Sequence, residues 1–259
     1  MGRATAIFLA QNNFIVYAGT RDTQKLQDIK DKNIIPITLD ITNSDNIKYA
    51  IDLIYAKHKH LDILVNNAGY GLVSTLEDVS EEEMFSQFNI NVFGVIRVTK
   101  AVIPIMRKNQ DGIIINISSF LGKIGLPLLS LYNSSKYAVE GITDSLRYEL
   151  RDFNIRVHSI MPGFFDTNFA RDNLATNKKT FDENSPYANM VSNLAPVIVK
   201  QINSGNNPQD VGKMILDIIQ NDNFPAHATI GEKAQKFIPM KKELSDEDFE
   251  RRVRDYYNL

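Results

Sequence analysis

Hydrophobic and polar positions along the chain follow two periods in turn. Five short runs rich in β-branched residues read as strands: "FIVYAG" (14–19), "NIIPITLD" (33–40), "LDILVNNAG" (61–69), "DGIIINISS" (111–119) and "IRVHSIMPG" (155–163). Stretches of helical length separate them. Ala4, Ala6, Ile7, Leu9 and Ala10 form one apolar helical face at the start, and further helices are predicted from Asp22, over 43–58, from about Ser80 to Lys108 and from about Ser130 to Arg151. A helix from Pro208 and a short strand at "HATIG" (227–231) follow. Strands separated by helices imply a parallel sheet covered on both faces, that is, an α/β doubly wound, Rossmann-like fold.

No repeat or low-complexity linker interrupts the pattern, so residues 1–259 read as a single domain. Beyond Pro162 the alternation loosens into aromatic residues mixed with turn formers, and 162–207 is expected to act as a substrate lid, since long loops in compact domains are commonly functional. The tail, 240–259, ends in a charged helix expected to be solvated or at a subunit contact.

Composition narrows the function by exclusion. With 259 residues, 43% of them hydrophobic, the chain can bury a full core. Its 29 basic and 31 acidic side chains nearly cancel, which removes any electrostatic reason to expect nucleic acid or an anionic membrane as partner. The absence of cysteine excludes disulfides, thiolate metal sites and thiol nucleophiles, and fits a reducing cytoplasm. No apolar run is expected to reach the length of a membrane span. His58 and His60 alternate on a helix and do not face one point, so no metal site is expected; His158, inside a strand, reads as structural.

Tyr132 and Lys136 stand four apart, on one helical face and one turn from each other. Spacing alone does not select them, because Tyr55 and Lys59 have the same spacing. Context does: ahead of Tyr132 a strand ends at Ser118-Ser119, and ligands of open α/β sheets bind outside the carboxyl ends of strands.

At these residues the chain resembles the short-chain dehydrogenase/reductase family, in the branch that holds steroid and retinol dehydrogenases. The resemblance covers almost the whole chain: "NNAG" at 66–69, "NINVFG" at 89–94, Ser119, "YNSSK" at 132–136 and "PG" at 162–163, in the family's order and spacing. It implies that Ser119 binds the substrate oxygen and Tyr132 exchanges the proton. Lys136 lowers the tyrosine's pKa and holds the nicotinamide ribose, and Asn91 anchors a water. A free phenol titrates near pH 10, so ionising it near neutrality takes roughly 3 to 4 kcal/mol. A cation about 4 Å away supplies roughly that much at an effective dielectric near 20. Hydride must come from a cofactor, because no side chain donates one.

The resemblance also implies the cofactor contacts. Gly2 is the last glycine of the family's glycine-rich turn; Asn67, Ala68 and Gly69 line the adenosine and ribose side; Asp40 and Ile41 meet the adenine; Pro162, Gly163 and Thr167 border the nicotinamide. In "YAGTRD" (17–22) Thr20 stands where an NAD-type acid is expected and Arg21 follows, while Asp22 reads as a helix N-cap. NADP(H) is therefore expected over NAD(H). The family's first strand, central in its sheet, and most of the glycine-rich turn have no counterpart ahead of Gly2, so the native product is expected to start upstream of Met1. As it stands, a catalytically silent binding protein on the same scaffold is the alternative from another class.

An apolar pocket of Tyr70, Phe120, Leu126, Leu128, Phe164, Phe165, Tyr187 and Met190 is expected, suited to a small lipophilic alcohol or ketone. A ketoacyl-thioester reductase is the competing enzyme reading, with Lys123 the one obvious basic residue near the pocket for a carrier protein. By resemblance the long helices over 80–108 and 130–151 make the subunit contact of a homodimer or homotetramer.

Overall fold

The structure, a computed structural model, describes residues 1–167, 169 and 173–259. Helix α1 (Gly2–Gln11) ends at Asn12-Asn13, where Asn13 adopts a left-handed φ of 68° that asparagine tolerates. Strands β1 (Val16–Thr20) and β2 (Ile34–Thr38) pair in parallel. Between them the helix expected from Asp22 is only a single 3-10 turn, Thr23–Leu26. Asp22 does cap it, accepting from the amide of Gln24, but none of its residues is buried, and a short helix without an apolar face to pack does not propagate.

Helix α2 (Ser44–His58) leads to β3 (Ile63–Asn66) and the short β4 (Gly71–Val73). Helix α3 (Glu81–Phe88) opens with a capping box between Ser80 and Glu83, then passes through a π-helical turn, Asn89–Gly94, into α4 (Val95–Asn109). Strand β5 (Gly112–Ile117), α5 (Ser130–Glu149) and β6 (Ile155–Pro162) follow. The remainder comprises β7 (Leu174–Thr176), α6 (Ala188–Asn203), α7 (Gln209–Gln220), β8 (His227–Ile230), α8 (Glu232–Glu243) and α9 (Asp246–Tyr257).

The main sheet has the order β3-β5-β6-β8, all parallel, with Leu64 opposite Ile114 and Ile114 opposite Val157. The pair β1-β2 forms a separate sheet, so among the described residues β1 and β3 are not hydrogen-bonded to each other. Strand β5 shows why the centre is continuous hydrophobic sequence. Ile114 packs on one face with α2 and α4, whereas Ile113, Ile115 and Ile117 pack on the other with α1 and α7, so both sides of the pleat are buried. Each fully buried isoleucine, such as Ile114 or Ile115, contributes roughly 1.5 to 3 kcal/mol.

Three expectations change here. The continuous helical stretch Glu81–Asn109 is, by length and composition alone, apolar enough to cross a membrane, so the expectation that no run reaches that length is corrected. Its buried residues Val95, Val98, Val102 and Met106 pack in the protein core instead. The tail is not simply solvated: Phe249, Val253 and Tyr257 of α9 are buried in a cluster with Phe120, Phe237 and Ile198, because the charged residues of that helix occupy the opposite face. The expected lid, 162–207, includes residues 168 and 170–172, which lie outside the described residues. Much of the rest is tied down: β7 pairs with β4, Asn177 and Thr180 are buried, and α6 places Leu194, Ile198 and Ile202 in the core.

Candidate active site

The carboxyl end of β5 delivers Ser118 and Ser119. Ser119 caps the 3-10 turn Phe120–Gly122, its Oγ accepting from the amide of Leu121 at 3.1 Å. Ser118 lines the same pocket, with a buried Oγ that has no hydrogen-bond partner among the described residues. Facing them, the first turns of α5 present Tyr132 and Lys136 on one side, as the spacing requires.

Lys136 is 6% exposed; its Nζ donates to the carbonyl of Ile117 at 2.9 Å and lies 5.7 Å from the centre of the Tyr132 ring. Burial pushes the Tyr132 phenol up to about 12, with a hydrogen bond from Ser119 working the other way. Burial likewise brings Lys136 down to about 8, with the negative charge of Glu140 pulling it back up. The net shift of the phenol is thus upward, set by burial. The lysine Nζ keeps its contact with the Ile117 carbonyl while facing the tyrosine ring.

Asn91 sits in the π-turn, a distortion that recurs at functional sites. It is buried, its Nδ2 donating to the carbonyl of Tyr70 at 2.8 Å and to Ser135 Oγ at 3.0 Å, while its Oδ1 accepts from the amide of Tyr70 at 3.0 Å. Ser135 in turn donates to the carbonyl of Tyr132 at 2.7 Å. The asparagine therefore locks the first turn of α5 to the segment after β3. Gly69 completes this contact: a Cβ there would stand 3.1 Å from Asn91 Oδ1 and 3.8 Å from Lys136 Nζ.

Of the residues expected to face the cofactor, Pro162, Gly163 and Thr167 line the same pocket as Tyr132. Gly2 opens α1 against Asn67, whose Nδ2 would be 2.5 Å from any Cβ at position 2, and Met1 reaches the pocket. Asn67, Ala68 and Gly69 form the loop leaving β3. Arg21 follows β1 and makes no side-chain ion pair among the described residues. The hydroxyl and amide of Thr42 hold the Asp40 carboxyl below its usual range, helped by the charge of Arg21. Ile41 packs on Gly94, where a Cβ would approach its Cδ1 to 2.5 Å. At the end of β6, the amide of Gly163 donates to the carbonyl of Ile230 at 2.8 Å, and Thr167 Oγ1 accepts from the amide of Phe169 at 3.3 Å.

The pocket at Tyr132 is lined by Phe120, Leu121, Leu129, Phe164, Phe165, Phe169 and Leu174, with Pro162, Gly163 and Thr167 at one side. Of the expected apolar residues, Phe120, Phe164 and Phe165 are there. Leu126 and Leu128 are core, and Tyr70 contributes its backbone to Asn91. Tyr187 and Met190 line a different groove, of about 530 Å³, between α6 and α9. Tyr187 is drawn there by donating to Glu77 Oε2 at 2.6 Å.

Sequence reasoning missed a second layer of buried polar groups. Asn66 Nδ2 donates to Thr99 and to Asn116, and Asn116 to Thr143, crossing β3 and β5 between α4 and α5. Glu140 meets Lys123 and His227 behind Lys136. The only signal for them is a polar residue inside an otherwise apolar stripe, as Asn116 is in "GIIINI".

The family profile for short chain dehydrogenases matches residues 1–178. A 3-ketodihydrosphingosine reductase of Bacteroides thetaiotaomicron is 35% identical over 260 residues, spanning 100% of this chain and 94% of that protein. A short-chain dehydrogenase from Streptomyces avermitilis superposes with a TM-score of 0.83 at 27% identity, over 99% of this chain and 92% of that one. ElxO with NADP bound superposes with a TM-score of 0.71 at 27% identity, over 88% of this chain and 91% of that one. Likeness of this extent, joined to a serine, tyrosine and lysine that meet at the end of a parallel strand, makes the chain an oxidoreductase of the short chain dehydrogenase family.

Proposed function

We propose that the protein is an NADP(H)-dependent ketoreductase interconverting a lipophilic ketone and its secondary alcohol. One observation carries this reading: the Tyr132 phenol and the Ser119 hydroxyl stand together at the wall of an apolar pocket. At neutral pH a tyrosine at about 12 is a proton donor, which is what a ketone oxygen needs as it gains charge. The likeness to a reductase of a long-chain keto lipid supports a ketone substrate with an apolar chain.

The residues present suit a dinucleotide. Gly2 leaves no room for a side chain against Asn67, so backbone can approach a phosphate closely, and the amides at the start of α1 have no side-chain cap. Arg21 suits a 2′-phosphate, in keeping with the NADP in ElxO. Asp40 and Ile41 would hold the adenine, Asn67, Ala68 and Gly69 the ribose, Pro162, Gly163 and Thr167 the nicotinamide. When bound, the cofactor supplies the hydride.

The chain's own residues do the rest. Ser119 and Tyr132 donate to the ketone oxygen, and one such donor is typically worth 10²- to 10³-fold in rate. Tyr132 passes its proton to that oxygen, and Lys136 stabilises the tyrosinate left behind. Asn91, through Ser135 and the Tyr132 carbonyl, holds the helical turn so that these groups stay aimed. Phe120, Phe164 and Phe165 exclude water, which strengthens every charge interaction inside.

The ketoacyl-thioester reading loses its basic contact, since Lys123 is turned onto Glu140 at 3.2 Å. Exposed Phe93 and Ile96, with Tyr137 and Tyr148 on α5, support a homodimer or homotetramer through these helices. The cysteine-free chain suits a cytoplasmic setting. The test is purified protein titrated with NADPH, then supplied with a long-chain 3-keto lipid, ketosteroids, retinal and an acetoacetyl thioester. Turnover with a lipophilic ketone that falls about 10³-fold in Tyr132→Phe is expected. Binding without turnover favours the silent reading; no NADPH binding overturns the assignment.

A further inference from the structure

Behind the proton-transfer pair, on the same stripe of α5, stand two carboxylates. Tyr132, Lys136, Glu140 and Asp144 follow one another at intervals of four, each one turn further from the pocket. Glu140 has only 4% of its side chain exposed, so an isolated charge there would be strongly unfavourable. It is paired from two other elements. Lys123, in the loop after β5, brings Nζ to 3.2 Å from Oε2, and His227, on β8, brings Nδ1 to 2.8 Å from the same oxygen. The other ring nitrogen of His227 lies 2.7 Å from Asp144 Oδ1, and Ser159 Oγ on β6 is 2.9 Å from Nδ1. A neutral imidazole donates through one nitrogen only, and here each nitrogen faces a carboxylate, so both contacts are hydrogen bonds only when both nitrogens carry hydrogen.

The space in front of Glu140 is as specific as its partners. A Cβ on Gly122 would lie 2.9 Å from Ser118 Oγ, 3.0 Å from the carbonyl of Lys136 and 3.1 Å from Glu140 Cγ. The glycine thus lets the loop that carries Ser119 press against the turn of α5 that carries Lys136. Glu140 Oε1 and Ser118 Oγ are both buried there without partners among the described residues.

We propose that Glu140 is a positioning residue for the proton-transfer pair: a buried carboxylate, clamped by Lys123 and His227, that sets the charge behind Lys136 and fixes the turn from which the lysine reaches Tyr132. The inference rests on the ketoreductase reading above. The charged and titratable groups facing Glu140 are Lys123 from the loop, His227 from β8, and Lys136 and Asp144 from its own helix; β6 contributes only the hydroxyl of Ser159. With the negative charge in place Lys136 keeps its proton to higher pH. Helical neighbours of this spacing have Cβ atoms about 5 to 6 Å apart, and a unit charge held about 6 to 10 Å away at an effective dielectric near 20 moves a titration by about one to two pH units.

Two substitutions are expected to act in opposite directions. Glu140→Gln removes the charge, so the alkaline limb of kcat for ketone reduction moves to lower pH by about one unit or more. Lys123→Met leaves Glu140 less compensated, so the limb moves to higher pH; Glu140→Asp keeps the charge and leaves the limb near that of the parent. A merely structural role would lower the active fraction or the melting temperature and leave the limb in place. The same titration is read without turnover in the cofactor-free protein by NMR of ¹³Cε-labelled lysine, with Lys136→Arg to assign the resonance. If the parent reduces no ketone, the functional reading fails while this titration still decides the coupling. If Glu140→Gln does not fold, Lys123→Met, whose side chain is partly exposed, carries the test. Limbs and lysine titrations that stay put, or that shift the same way in both variants, overturn the proposal.

Discussion

Lys136→Met separates what the lysine does for the reaction from what it does for the fold. The ammonium lies 5.7 Å from the centre of the Tyr132 ring, so at an effective dielectric near 20 it stabilises a tyrosinate by roughly 3 kcal/mol. Loss of that stabilisation is expected to lower turnover in either direction by about 10- to 100-fold, since only part of the charge has formed at the transition state. Stability should move the other way. Folding brings Lys136 from its ordinary value of 10.5 to about 8. Between those values the unfolded chain holds a proton that the folded chain has released, so stability rises with pH across that window, by about 3 kcal/mol from this group. Methionine removes the buried charge. Although it forfeits the hydrogen bond to the Ile117 carbonyl, worth about 1 kcal/mol, the variant is expected to be more stable than the parent near pH 7. Urea denaturation at about pH 7 and about pH 9.5, with NADPH oxidation followed separately, measures both effects. The reasoning is refuted if the variant keeps more than half of the parent's turnover, or if the stability difference between the two is the same at both pH values.

Two further outcomes bear on the pocket and the cofactor. A Cβ at Gly205 would stand 2.5 Å from the carbonyl oxygen of Phe164 and 2.7 Å from Phe165 Cα, both backbone, so Gly205→Ala should cost about 1 to 3 kcal/mol in a melting experiment and raise KM for the ketone as Phe164 is displaced. Arg21→Ala should weaken NADPH binding about 10- to 100-fold in a fluorescence titration, the worth of one charge-assisted contact, while leaving NADH unchanged; equal losses for both cofactors would remove Arg21 from the 2′-phosphate role.

Some elements were legible because their signals are local. Asn43 and Ser80 cap α2 and α3 as their positions suggest, and the unbroken isoleucine run of β5 announces a strand buried on both faces. The helix of α6 was not legible. Its apolar face becomes visible only against the cluster of Phe120, Phe237 and Tyr257, contributed by elements far away in sequence. Likewise the turn after Asp22 carries a good cap and polar helix formers, yet stays short because nothing covers it.

Sequence alone determined that strands alternate with helices, and singled out a serine, a tyrosine and a lysine as candidates for the chemistry, because periodicity and motif spacing are properties of neighbouring residues. Only the tertiary structure decided the surroundings that shift those residues' titrations. The phenol at about 12, the lysine at about 8 and the carboxylate of Glu140 between Lys123 and His227 all follow from burial and from partners brought in by other strands and loops, and desolvation has no sequence signature.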